Sequence, residues 1–141
     1  MDLQTKIAFW TLVVTIIGVF IQLAIFRKTF AIQKGQLEIQ IRDLIERTRT
    51  HAETALKAVR SNSSEKIKQA ANAALESHLN AYDEACQKYI ENKIDQKSFK
   101  NLYFHEIYNL INNDNLKEKF VRPTKYGATR QVYDEWFPEK K

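Results

Sequence analysis

Cysteine occurs once, at Cys86, so no disulfide can close within the chain, as expected of a reducing compartment. Three glycines and two prolines in 141 residues leave little material for β-turns. No segment shows the period-two alternation of a half-buried strand. The expected fold class is therefore all-α. Catalytic signatures are missing as well: there is no P-loop, no Gly-x-Ser-x-Gly, no His-Glu-x-x-His and no dinucleotide fingerprint. His51, His78 and His105 fall on three different predicted helices, none with a second ligand three or four residues on, so no metal site is expected. Cys86 falls on the apolar face of its helix, where a thiol is inert. Carboxylates are plentiful, but none is identifiably withdrawn from water. The expectation is a protein that is not an enzyme and carries no cofactor and no metal.

Residues 7–26, IAFWTLVVTIIGVFIQLAIF, lack Asp, Glu, Lys, Arg, His and Pro altogether. As a helix they extend ~30 Å, the thickness of a bilayer's hydrocarbon core. A soluble core helix rarely needs such a run, because one of its faces meets water. The run exceeds a signal-peptide core, and no small-x-small cleavage site follows it cleanly, so it reads as an uncleaved transmembrane helix. Lys6 precedes it, whereas Arg27, Lys28 and Lys34 follow it, which places the C-terminal side in the cytoplasm by the positive-inside rule. Trp10 then falls near the outer interface.

Lys plus Arg number 22 and Asp plus Glu 17, a net charge of +5. Only Asp2 and Lys6 precede residue 27, so the segment after the anchor carries the whole excess. A mildly basic segment suits an anionic leaflet, where each base near the surface gains ~1 kcal/mol, and it suits an anionic ligand. The charge is too mild and too mixed for DNA.

Within the apolar run, Ala8, Thr11, Thr15, Gly18 and Gln22 recur at steps of three and four. This is the seam of a left-handed bundle, made of small and polar residues. It predicts a homo-oligomer, of which a tetramer is one form, with Thr11, Thr15 and Gln22 able to line a water-filled path. The alternative is a monomeric anchor whose hydroxyls bond to their own backbone. Residues 27–60 continue as a predicted coupling helix. Leu37, Ile41, Leu44, Thr48, His51, Ala55 and Ala58 form a second stripe, read either as a juxtamembrane coiled coil or as the inner face of a helix packed on its own chain. The two stripes are one residue out of phase, so a break or twist near Gly35 is implied if both seams are real.

Residues 61–141 read as a small helical domain. Ser61, Asn62, Ser63 and Ser64 form a turn, with Asn62 and Glu65 resembling a capping box and Ser63 or Ser64 as alternative caps. A helix to about Asn92 offers a broad apolar face of Ile67, Ala71, Ala74, Leu75, His78, Leu79, Tyr82, Ala85, Cys86, Tyr89 and Ile90 at helical spacing. Asp95 caps the next helix, which presents Phe99, Leu102, Tyr103, Ile107, Leu110 and Ile111, with Phe104 and Tyr108 on a second face. A short helix with Leu116, Phe120 and Val121 ends at Pro123. A last helix carries Val132, Tyr133, Trp136 and Phe137, and Pro138 closes it. The domain organisation is thus a short extracytoplasmic tail 1–6, a transmembrane helix 7–26, a coupling helix 27–60 and a cytoplasmic domain 61–141.

The candidate binding site is the stretch around residues 117–137. Arg122, Lys125 and Arg130 surround a Pro-to-Gly loop that also holds Tyr126 and Tyr133. Guanidinium groups grip phosphate bidentately, aromatic faces stack bases, and the following helix could offer N-terminal amides to an anion. The alternative is a solvated basic loop facing anionic lipid, with the two tyrosines in the core.

With anchor, coupling helix and helical domain in this order, the layout resembles small bacterial membrane proteins of anti-phage defence loci, above all the membrane effectors associated with type III CRISPR systems. Residues 89–95, YIENKID, with Phe99 and Tyr103 after them, also resemble a broad bacterial family of anchored helical domains of unknown function. The first resemblance implies the bacterial inner membrane, self-association and a cyclic oligoadenylate ligand. It transfers no ligand residue to this chain. The expected function is a non-enzymatic sensor-effector whose cytoplasmic domain binds a cyclic nucleotide and perturbs the membrane. The alternative is a single-pass scaffold holding a protein-binding domain at the bilayer.

Overall fold

The computed structural model describes residues 3–60 and 63–138, with the side chains at 3 and 5–8 outside the description. The described chain is helical: α1 Leu3–Ala58, α2 Glu65–Ile90, α3 Gln96–Asn112, a 3-10 turn Lys117–Phe120, and α4 Gly127–Trp136. No strand occurs among the described residues. Two compact units divide it, Met1–Gln36 and Leu37–Lys141. The second unit takes in 37–60, so it begins well before the 61–141 domain read from the sequence.

In the first unit none of residues 9–36 is buried. Phe9, Trp10, Leu12, Phe20 and Phe26 are all more than half exposed. This helix is long and apolar enough to cross a membrane. Thr11, Thr15 and Gln22 are exposed and Gly18 half-buried, while Ala8 lies outside the residues whose side chains are described. A Cβ at Gly18 would meet nothing. Thr15 Oγ1 donates to the Thr11 carbonyl at 2.8 Å, so this hydroxyl is satisfied within its own helix.

In the second unit Ile41 and Ile45 enter the core, and Leu37 and Leu44 pack against it. The stripe beginning at Leu37 is therefore an inner face of the chain's own core and not a free coiled-coil seam. The helix runs through Gly35 without interruption. The break considered near Gly35 is therefore not found. His51 and Ala58, assigned to the stripe, are exposed, and Ala52 is buried in their place.

The α2–α3 corner is the best-defined local feature. α2 ends at Ile90, and Asn92 adopts φ 54°, a conformation that asparagine tolerates better than most residues. Ile94 is fully buried at the bend. Asp95 caps α3 by accepting from Ser98 N at 2.7 Å, and its own amide donates to Glu38 Oε1 at 2.6 Å. The 89–95 signature is thus a packed corner. Asn62, of the proposed capping box, lies outside the described residues, and Ser64 occupies the N-cap of α2 without a side-chain cap bond.

α4 lies against α2 and α3. Trp136 meets Tyr89 edge-on at 5.4 Å and Phe99 at 6.1 Å, and its indole N–H donates to Tyr89 Oη at 3.1 Å. Tyr89 Oη in turn donates to Glu135 at 2.8 Å. Leu102, expected in the core, is 49% exposed, as is much of Tyr108, Val121 and Ile67. The apolar face of α3 is wider than the surface its neighbours cover.

Candidate functional site

The five residues singled out in the sequence, Arg122, Lys125, Tyr126, Arg130 and Tyr133, divide into two groups. Lys125 and Tyr126 join Lys119 on Glu76 of α2: both ammonium groups bond to the carboxylate, and Tyr126 Oη donates to it at 2.5 Å. Hydrogen bonds from Lys119, Lys125 and Tyr126 hold the Glu76 carboxyl down to about 2, and burial first, then Glu76, pushes the Tyr126 hydroxyl up to about 12. Tyr126 is 1% exposed, so it has no face for a base to stack on. This group fastens the loop to α2, and a ligand role for Tyr126 does not survive its burial.

Arg122, Arg130 and Tyr133 stay together. Arg122 Nη2 lies 2.7 Å from Asp134 Oδ2, and Arg130 Nη2 lies 2.9 Å from Asp134 Oδ1. The Arg130 guanidinium stands 5.3 Å over the Tyr133 ring. Tyr133 Oη accepts from Asn112 Nδ2 at 3.0 Å. These side chains border an open groove of about 720 Å³, whose apolar wall is Ile111, Val121 and Phe137 and whose rim includes Lys117. Arg122 and Arg130 also border a second depression of about 650 Å³ beside Thr124 and Gly127. The two arginines therefore form a ridge reachable from both sides. Arg130 Nε is enclosed and finds no acceptor among the described residues.

The sequence offered the N-terminal amides of α4 to an anion, but one of them, that of Thr129, already has a carboxylate from the chain itself. Thr129 N and Oγ1 both donate to Asp83 Oδ1 of α2, at 2.8 and 3.1 Å. The chain supplies its own carboxylate there, which satisfies helix-end donors and ties α4 to α2.

Charges that the sequence reading assigned no role form a network between helices. Arg49 of α1 donates to Glu106 of α3 at 2.6 Å and to Tyr82 Oη of α2 at 3.1 Å. Tyr82 Oη donates to the same Glu106 carboxylate. Thr48 Oγ1 lies 3.1 Å from His78 Nδ1. Burial, then the Arg49 charge, pushes the His78 imidazole down, and burial pushes the Tyr82 hydroxyl up. This cluster joins three helices and lines none of the grooves bordered by Arg122. The spacing of Arg49 from Glu106 is 57 residues, and no local signal reveals it. Asp134, by contrast, stands four residues after Arg130, a helical pairing visible in the sequence.

Cys86 is fully buried, and burial pushes its thiol up, which removes the thiolate that reactivity requires. His51 and His105 are exposed. Among the described residues no group of three or more His, Cys, Asp or Glu side chains is placed to hold a metal ion.

No protein-family model matches the chain, and no curated protein or solved structure matches it.

Proposed function

We propose that this is a non-enzymatic, membrane-anchored module whose groove around Arg122 and Arg130 binds an anionic, phosphate-bearing ligand. A cyclic oligonucleotide is the first candidate, and the expected consequence is a rearrangement of a homo-oligomeric membrane bundle in anti-phage defence. The single observation that carries the reading is that two guanidinium groups converge on one carboxylate, Asp134, at 2.7 and 2.9 Å. They define a position where an anion is already held. Tyr133 beside them offers an aromatic face, and such faces stack on bases. A ligand moves the bundle only if it binds the bundle's two arrangements with different affinity.

The test is titration of the full chain in detergent with cyclic tetra-adenylate, alongside dye release from liposomes that hold the same protein. Arg122→Ala and Arg130→Ala should each weaken binding about tenfold, as expected for a charge-assisted contact, and Lys125→Ala should weaken it far less. No binding by the unaltered protein ends the nucleotide reading. The scaffold reading has one observation in its favour: Lys119 and Lys125 are already consumed by Glu76, leaving less free charge than the sequence suggests. Capture of a protein partner by the 37–141 unit, without nucleotide binding, supports it.

A further inference from the structure

The groove wall contains one acidic side chain, Asp134, among Asn112, Lys117, Arg122, Arg130 and Tyr133. It does not sit at the edge of the basic patch. Its two oxygens are divided between the two arginines, Oδ2 facing Arg122 and Oδ1 facing Arg130. Arg130 and Asp134 lie on one face of α4 at i and i+4, whereas Arg122 reaches in from the preceding loop. A side chain in this position does what a ligand's anionic group does.

We infer that Asp134 is a built-in competitor that makes the groove select multiply charged phosphate ligands over single anions. The inference rests on the anion-binding reading of the same groove. A lone anion such as inorganic phosphate that displaces Asp134 exchanges one anionic contact with the two arginines for another, and it must leave the aspartate without its two partners. Nothing is gained, because the hydrogen bonds lost equal those made. A chain of phosphates replaces both contacts and still has charge left for Lys117 at the rim. Among the described residues Lys117 pairs with exposed Asp114, at 2.9 Å with the aspartate side chain 90% exposed, and such a pair contributes little.

The experiment measures the affinities of inorganic phosphate and of tripolyphosphate for the full chain in phosphatidylcholine nanodiscs, whose headgroups carry no net charge. The unaltered protein should prefer tripolyphosphate. Asp134→Asn should tighten phosphate binding about tenfold, the combined worth of two partly exposed ion pairs, and so shrink the preference. Asp134→Glu keeps the charge and should keep the preference, and helical circular dichroism shows that each variant is folded. A preference unchanged in Asp134→Asn overturns the inference alone, provided that tripolyphosphate binds. Weaker binding of both probes by a folded Asp134→Asn also overturns it, since the carboxylate would then be positioning the arginines. No binding of either probe by any form overturns both the inference and the anion-binding groove.

Discussion

The units Met1–Gln36 and Leu37–Lys141 treat their side chains in opposite ways. In the first, large apolar groups such as Phe20, 67% exposed, face outward, and a hydroxyl such as that of Thr15 turns back on its own helix. In the second, an apolar core is enclosed, as at Ile45, Leu79 and Ile107, and charges pair between elements, as Arg49 does with Glu106 and Lys125 with Glu76. The first unit leaves its large apolar side chains without contacts from the described chain, and its helix is long and apolar enough to cross a membrane. The second encloses a core of its own and pairs many of its charges internally, and an open groove lies beside Arg122.

Removing a large ring from each unit should expose this difference most strongly. Trp136→Ala deletes the ring that meets Tyr89 and Phe99 and should lower the unfolding free energy by about 3–5 kcal/mol. Phe20→Ala should change it by no more than about 0.5 kcal/mol. Denaturant titration of the full chain in detergent reads both, and equal losses would erase the contrast.

Next in size is a charge placed on each unit's exposed apolar surface. Ile17 is 53% exposed and Leu102 49%. Ile17→Arg should cost about 2.5–3.5 kcal/mol of membrane insertion and shift protein out of the alkali-resistant membrane fraction. Leu102→Arg should leave that fraction unchanged. If both variants stay in the membrane, the anchor does not lie where the exposed face of the first unit puts it.

The smallest effect concerns pH and sharpens the account of the second unit. Glu76 has a folded pKa of about 2, below its ordinary 4.5, because of hydrogen bonds from Lys119, Lys125 and Tyr126. A depressed carboxylate contributes stability that is fully present above 4.5 and is lost as pH falls toward 2. With the side chain 26% exposed, solvent screening reduces the contribution to about 1–2 kcal/mol. Glu76→Gln should be less stable at neutral pH and should lose less on acidification, as read by thermal melts across that range. A parallel acid response in the two proteins would show that this carboxylate does not hold the loop.

Much of the fold was legible because its causes are local. The Asp95 cap needs only Ser98, three residues on, and the apolar face of α2 needs only helical spacing. The site was half legible. Arg122, Arg130 and Tyr133 do share a groove, since the last two are neighbours on one helix and the first precedes it in the same loop. Lys125 and Tyr126 were drawn into the same reading by proximity in sequence, but they are turned toward α2. Nothing within a few residues of them announces Glu76, which lies 49 and 50 positions away.

The sequence by itself determined that the chain is helical and that one of its helices is apolar over a bilayer's thickness, because hydrophobicity and helix periodicity are sums over neighbouring residues. Only the tertiary structure decided which cations remain open to a ligand. An ion pair depends on where a partner from a distant helix arrives, and Glu76, Asp83 and Glu106 reach their partners across 43 to 57 residues of chain. The same packing turned the stripe from Leu37 to Leu44 inward, taking from oligomerisation a surface whose spacing alone suits a coiled coil equally well.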